Sequence, residues 1–228
     1  MLRSLLSLAL IVPLLAPAQE RKTFKLNPGQ KATDVIPFSE IYRYPVFMAA
    51  SVQFRNDRVG SALMNYNALI AEMQFVAPNG DTLSLDDAES IRSINFPADT
   101  FYFDKVYLRQ LAVIGDRKLA EHTSFALVNR QKLGGFGELT NASVDTYNQI
   151  STSSFFKDLV ARELLTLGKR DLLYIGDKFN KFREVNRKNL LQVYGKKSRD
   201  LETYLKEHEV NFARKEDILA LMSYMDVR

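Results

Sequence analysis

Between residues 46 and 96, short runs of Val, Ile, Leu, Phe and Tyr alternate with polar residues. Two clusters of turn-forming residues interrupt them, Asn56-Asp57-Arg58 and Pro78-Asn79-Gly80-Asp81. Strict alternation sends every second side chain to one face of a strand, so the pattern predicts hairpins with one face on a core. Over residues 60–66, Ala62, Met64 and Tyr66 share that face; over 69–76, Leu69, Ala71, Met73 and Phe75 do, against Ile70, Glu72 and Gln74. Pro78 suits the first central position of a turn and Asn79-Gly80 tolerate positive φ, which joins a strand ending at Val76 to one over 82–85. Asp86-Asp87-Ala88-Glu89 reads as a single helical turn before a strand over 91–96.

The same pattern continues over 101–130, with Gly115-Asp116-Arg117 as the turn of a long hairpin. Residues 134–154 change character to Gly-Gly-Phe-Gly followed by a run rich in Ser, Thr and Asn, a polar loop or boundary. Two strand pairs are expected next: 159–167 turning at Gly168-Lys169-Arg170 into 171–175, then Gly176-Asp177-Lys178 into 179–185. After Asn186 the period lengthens. Leu190, Leu191, Val193 and Tyr194, then Leu201, Tyr204 and Leu205, then Ile218, Leu219, Leu221, Met222 and Met225 recur at helical spacing, with breaks at Gly195 and Val210-Asn211-Phe212. The expected fold is therefore α+β: a flexible leader over 19–31, a mainly antiparallel β-hairpin or meander body over 32–186, and a C-terminal tail, 187–228, of two or three short helices.

The head of the chain adds an address. Arg3, an apolar run over 5–15 broken by Pro13, and Ala16-Pro17-Ala18 read as a secretory signal peptide cut before Gln19. A spanning helix needs about 20 apolar residues, which neither this run nor any later one provides. Met225-Asp226-Val227-Arg228 lacks the alternation of an outer-membrane barrel strand. Export to the periplasm or exterior is expected. With no cysteine among 228 residues, no disulfide, thiol nucleophile or lipid attachment site is available, and the fold must rest on its core. A composition 46% hydrophobic and 11% aromatic suffices for that.

Two patches carry a resemblance. One runs from Leu63-Met64-Asn65-Tyr66-Asn67 through Met73-Gln74-Phe75 to Asn79-Gly80-Asp81-Thr82-Leu83. The other comprises Phe182, Asn186-Arg187-Lys188-Asn189-Leu190-Leu191, the basic helix after them and Val210-Asn211-Phe212. In these patches, about half of the chain, the sequence resembles uncharacterised secreted envelope proteins of Bacteroidota-type Gram-negative bacteria. That resemblance implies an envelope location and brings no catalytic residue with it. Gly134-Gly135-Phe136-Gly137 only approximates the Gly-aromatic-Gly loop of the group.

Candidate chemistry is sparse. The two histidines, His122 and His208, lie in different predicted elements, His122 at a strand start and His208 at a solvated helix end, so no metal cluster follows from them. No Gly-x-Ser-x-Gly elbow marks a serine nucleophile. Asp81, Asp86, Asp87 and Glu89 miss the spacing of a calcium loop, and turn or cap duty for Asp86 or Asp87 explains them better. The glycine run at 134–137 lacks the spacing of a nucleotide-binding loop. Trp is absent, which disfavours a sugar-cleaving cleft without closing that option. No metal or cofactor is expected.

One charge feature rises above this background. Residues 178–199 contain eight basic side chains, Lys178, Lys181, Arg183, Arg187, Lys188, Lys196, Lys197 and Arg199, and one acid, Glu184, for a local balance of +7. Such a segment suits an anionic glycan, lipid or acidic protein of the envelope; nucleic acid is not an expected partner of an exported protein. The plain alternative is a solubilising helix surface. The expected function is thus a non-catalytic exported envelope protein that binds a protein or anionic partner through a sheet edge or the basic tail. The alternative is a hydrolase of envelope glycan whose carboxylates converge from distant strands.

Overall fold

Antiparallel pairing organises the chain, whose computed structural model describes residues 22–133, 139–141 and 160–227. The export head, the Ala18-Gln19 bond, Gly134-Gly135-Phe136-Gly137 and the rest of the polar loop expected over 134–154 lie outside the described residues, except for 139–141, which form a strand rather than loop. In chain order the strands are β1 (Thr23–Leu26), β2 (Met48–Phe54), β3 (Val59–Asn67), β4 (Glu72–Val76), β5 (Thr82–Ser84), β6 (Ile91–Asn95), β7 (Thr100–Asp104), β8 (Val106–Ile114), β9 (Arg117–Leu133), β10 (Leu139–Asn141), β11 (Leu164–Gly176) and β12 (Phe182–Glu184). Among the described residues they form one twelve-stranded sheet in the order β1-β11-β9-β8-β7-β6-β2-β3-β4-β5, with β10 beside β9 and β12 beside β11. Two one-turn helices, α1 (Ala32–Val35) and α2 (Phe38–Ile41), carry the chain from β1 to β2. The tail holds α3 (Arg187–Tyr194), α4 (Ser198–Glu207) and α5 (Lys215–Val227).

The α+β class, the β-rich body and the helical tail are as the periodicity predicts. Ala62, Met64 and Tyr66 of β3 do face the core, opposite Met73 and Phe75 of β4. The change of period falls where the Asn186 side chain accepts the Asn189 amide at 2.9 Å, capping α3. Gly115, at φ 53°, turns the β8–β9 hairpin. No helix among the described residues is long and apolar enough to cross a membrane.

Four expectations need correction. The supposed leader contributes β1: Phe24 and Leu26 stand opposite Leu167 and Leu165 of β11, and Leu26 is wholly buried. The turn at Gly168-Lys169-Arg170 does not exist, because β11 runs straight through it between β1 and β9. Gly168 is there for close approach: a bulge in β9 brings Val128 Cγ2 to 2.6 Å from where a Cβ would stand. The strand expected from residue 69 starts at Glu72, since Asn67 Oδ1 accepts the Leu69 and Ile70 amides at 3.0 and 3.3 Å and turns the chain first. The helical turn expected near Asp87 is present as a 3-10 turn over Ala88–Ser90, but the expected side-chain cap is not formed; the Asp87 carbonyl accepts the Ser90 amide and hydroxyl at 3.2 and 2.8 Å.

Two cores share one face of the sheet. The first gathers Leu26, Met64, Tyr66, Met73, Ile94, Phe101, Phe125 and Leu167, closed by Ala32, Ile36 and Ile41 of the α1–α2 segment. Tyr66 of β3 donates its hydroxyl to the Thr123 carbonyl of β9 at 2.7 Å, so the sheet curls around this core. The second joins Leu119, Leu173 and Ile175 to Leu190, Leu201, Ile218 and Met222 of the three tail helices. Along β11 the odd-numbered residues point the same way: Leu165 and Leu167 enter the first core, Leu173 and Ile175 the second. Between them come Lys169 and Asp171.

Candidate functional site

Lys169 and Asp171 interrupt an apolar row, and their neighbours on β8 and β9 do the same. Arg109 and Glu121, paired across those strands, together with Thr123, lie on that face between the two cores and line a cavity of about 180 Å³ with Arg43 and Tyr66. Arg109 donates to Glu121 at 2.6 Å and to Asp99 at 3.3 Å. Asp99, 10% exposed, also meets Arg43 at 3.4 Å and the Tyr44 hydroxyl at 2.8 Å. On the other side Glu40 bridges Lys22 at 2.6 Å and Lys169 at 3.3 Å, while Asp171 accepts from Thr123 Oγ1 at 2.5 Å.

Burial alone would raise the Asp99 carboxyl; the Tyr44 hydroxyl and the Arg43 and Arg109 guanidinium groups outweigh it and hold the group below its ordinary 3.8. Glu40 is held low too, first by Lys22 and then by Lys169, against its burial. Burial pulls Arg109 down, but Glu121 and Asp99 more than compensate, so it stays charged. A general acid working near neutrality needs the opposite shift, a carboxyl raised by its surroundings. The cavity is also smaller than the roughly 300 Å³ at which ligand pockets begin. Its chemistry is that of a paired charge layer joining two cores.

Compared with protein-family models, curated proteins and solved structures, the chain matches none of them.

The sequence-predicted contact residues fare differently. Lys178 and Lys181 sit in the turn between β11 and β12, Arg183 on β12, Arg187 and Lys188 in the first turn of α3, Lys196 and Lys197 in the 3-10 turn Gly195–Lys197, and Arg199 in α4. All eight are exposed. Among the described residues none forms an ion pair within 4.0 Å. Lys197 Nζ donates to the Met225 carbonyl at 3.3 Å, and the others keep their heads in solvent apart from a ring contact of Lys178. The first turn of α3 holds no acid, although Arg187 and Lys188 stand at the positive end of the helix dipole. Each cation there is unfavourable by about 0.3–1 kcal/mol, so helix stability does not account for the placement.

The remaining candidates take structural roles. His122 is buried, with Nδ1 3.0 Å from the Tyr107 carbonyl, and burial keeps its ring neutral by lowering its pKa. His208 is exposed at the end of α4 and stacks on Tyr204 at 4.1 Å. Among the described residues no group of His, Asp and Glu is disposed to hold a metal ion. Asp81 serves its turn, accepting from Asn79 Nδ2 at 2.7 Å. The charge layer was missed because its members come from separate elements. The one sequence signal was a polar pair, Lys169 and Asp171, within the period-2 row of Leu165, Leu167, Leu173 and Ile175.

Proposed function

We propose that this protein is a non-catalytic exported envelope protein that holds an anionic envelope partner against the basic surface of residues 178–199. The observation that carries the reading is that all eight cations of that segment are exposed and none is ion-paired among the described residues. Unneutralised positive groups so close in sequence sum to a field that steers anionic partners, confined to near contact by a Debye length of about 8 Å at physiological salt. The path's end strands, β1 and β5, hold four and three residues, short for strand addition, which favours the tail over the sheet edge. The pairing of Asp99 with two guanidinium groups supports the non-catalytic part of the reading, and the apolar head with Ala16-Pro17-Ala18 supports export.

The protein is expected to bind immobilised dextran sulfate at low salt and to elute as salt rises. Replacing Arg187, Lys188, Lys196 and Arg199 with Gln abolishes retention near physiological salt and leaves the thermal midpoint within about 2 °C, because exposed charges contribute little to stability. Lys197 is spared for its bond to Met225. Retention by the quadruple variant would exclude the basic surface. For export, mass spectrometry of protein from the envelope fraction should find Gln19 as the first residue; an intact Met1 there would overturn the cleavage.

A further inference from the structure

Phe179 is 70% exposed at the tip of the turn joining β11 to β12, with Lys178 before it and Lys181 after it. The turn is held from behind. Asp177 Oδ1 accepts the Phe179 and Lys181 amides at 2.8 and 3.0 Å, so the acid of the turn itself is engaged with the backbone. Asn180 adopts φ 62° and its side chain accepts from Lys118, while Asp104 accepts the Phe182 amide at 2.7 Å. Phe182 is half-buried and packs on the sheet, its ring 5.6 Å from that of Tyr102 and against Gly176, where a Cβ would lie 2.4 Å from the ring. Of the two phenylalanines in this hairpin, the fold thus uses one and presents the other on a braced tip. The Lys178 ammonium lies 5.4 Å from the Phe179 ring centroid, which sets a cation over the apolar group at the tip.

We infer that this turn docks the protein on an anionic lipid bilayer, with the Phe179 ring in the interfacial layer and the lysines at the headgroups. The inference rests on the proposed basic surface and names its partner. A single exposed apolar side chain is ordinary on a soluble protein. Here it stands beside cations that lack acidic partners, and the combination of an apolar anchor with a polybasic segment is what an anionic bilayer recognises. A protein partner would need a broader apolar centre around the ring, with pockets and a rim, and the tip offers one ring only.

The chain has no tryptophan, so Phe179→Trp places a sole indole at the tip. Protein with the same mass-verified N-terminus in every variant is mixed with vesicles of phosphatidylglycerol and phosphatidylcholine, or of phosphatidylcholine alone. The indole emission should shift to the blue with the anionic vesicles at low salt and stay put with the neutral ones. Phe179→Ser should weaken anionic-vesicle binding about tenfold, the effect of losing one buried aromatic, while retention on dextran sulfate changes less than about twofold. Retention on dextran sulfate without vesicle binding would overturn this inference and leave the basic surface standing; failure on both would overturn the two together. Vesicle binding with unmoved emission would exclude the Phe179 anchor. A blue shift in buffer alone that grows with protein concentration would assign the ring to a second copy of the chain, and equal binding to neutral vesicles would remove the lysines from the contact.

Discussion

Replacing Phe101 with Ala is expected to lower the unfolding free energy by about 3–5 kcal/mol, the usual cost of emptying an aromatic site in a packed core. Phe101 on β7 is 2% exposed, and its ring lies 5.5 Å from that of Tyr66 and 5.7 Å from that of Phe96. It stands across from Ile94 on β6 and Arg109 on β8, where the sheet curls toward β3. The neighbours are held by strand pairing on both sides, so little collapse into the cavity is available. For a protein of this size each kcal/mol moves the midpoint by about 2–4 °C, which gives a fall on the order of 10 °C in a thermal melt. A fall below about 2 °C would mean that the first core does not close around this ring. The contrast with Phe179→Ser, which should leave the midpoint almost unchanged, separates the aromatic that holds the fold from the one it presents.

The second large effect is expected at Arg109. Changing it to Met keeps the stem and removes the charge, leaving Asp99 with Arg43 and the Tyr44 hydroxyl and Glu121 without its guanidinium partner. Truncating one member of a buried charge pair costs about 3–5 kcal/mol. Here Arg109 and Glu121 are each 20% exposed, and water screens part of the loss, so about 2–3 kcal/mol is expected. The penalty depends on pH with a definite sign. Because the folded carboxyl of Asp99 is held below 3.8, its stabilising contribution is fully present above that value and is lost as pH falls through the lower folded value. Denaturant unfolding of both proteins should therefore show the widest gap near neutrality and a narrowing gap below about pH 4. A gap that widens in acid would reverse the assignment of Asp99 as an ionised partner.

These two positions differ in how far the sequence announces them. Phe101 sits in an apolar run whose burial follows from composition. Arg109 sits in a strand whose alternation predicts a core-facing side chain, and only the acids of β9 and of the loop before β7 make a charge acceptable there. The basic run of residues 178–199 was legible because it is continuous in sequence; its exposure and lack of ion pairs among the described residues were not, since those depend on where every acid falls in space. Phe179 was read as part of a strand, and only the Asp177 bond to its amide and its 70% exposure show that the ring belongs to the turn and faces out.

What the sequence determined by itself was local. Period-2 alternation specified hairpins and the inward face of β3; Pro78-Asn79-Gly80-Asp81 and Gly115 specified turns; and the change of period at Asn186, with a capping side chain, specified the start of the helical tail. Each depends on residues within a few positions of one another, where backbone geometry alone sets which side chains meet. The tertiary structure decided the rest: the ten-strand path, the pairing of β1 with β11, the uninterrupted course of β11 past Gly168, and the layer of paired charges between two cores. Those features arise from residues far apart in the chain. Gly168 reads as a turn until Val128 is pressed against it, and Lys169 reads as a loop residue until Glu40 stands 3.3 Å away. A strand's partner is selected by side chains on other strands, so its identity is written only in the assembled sheet.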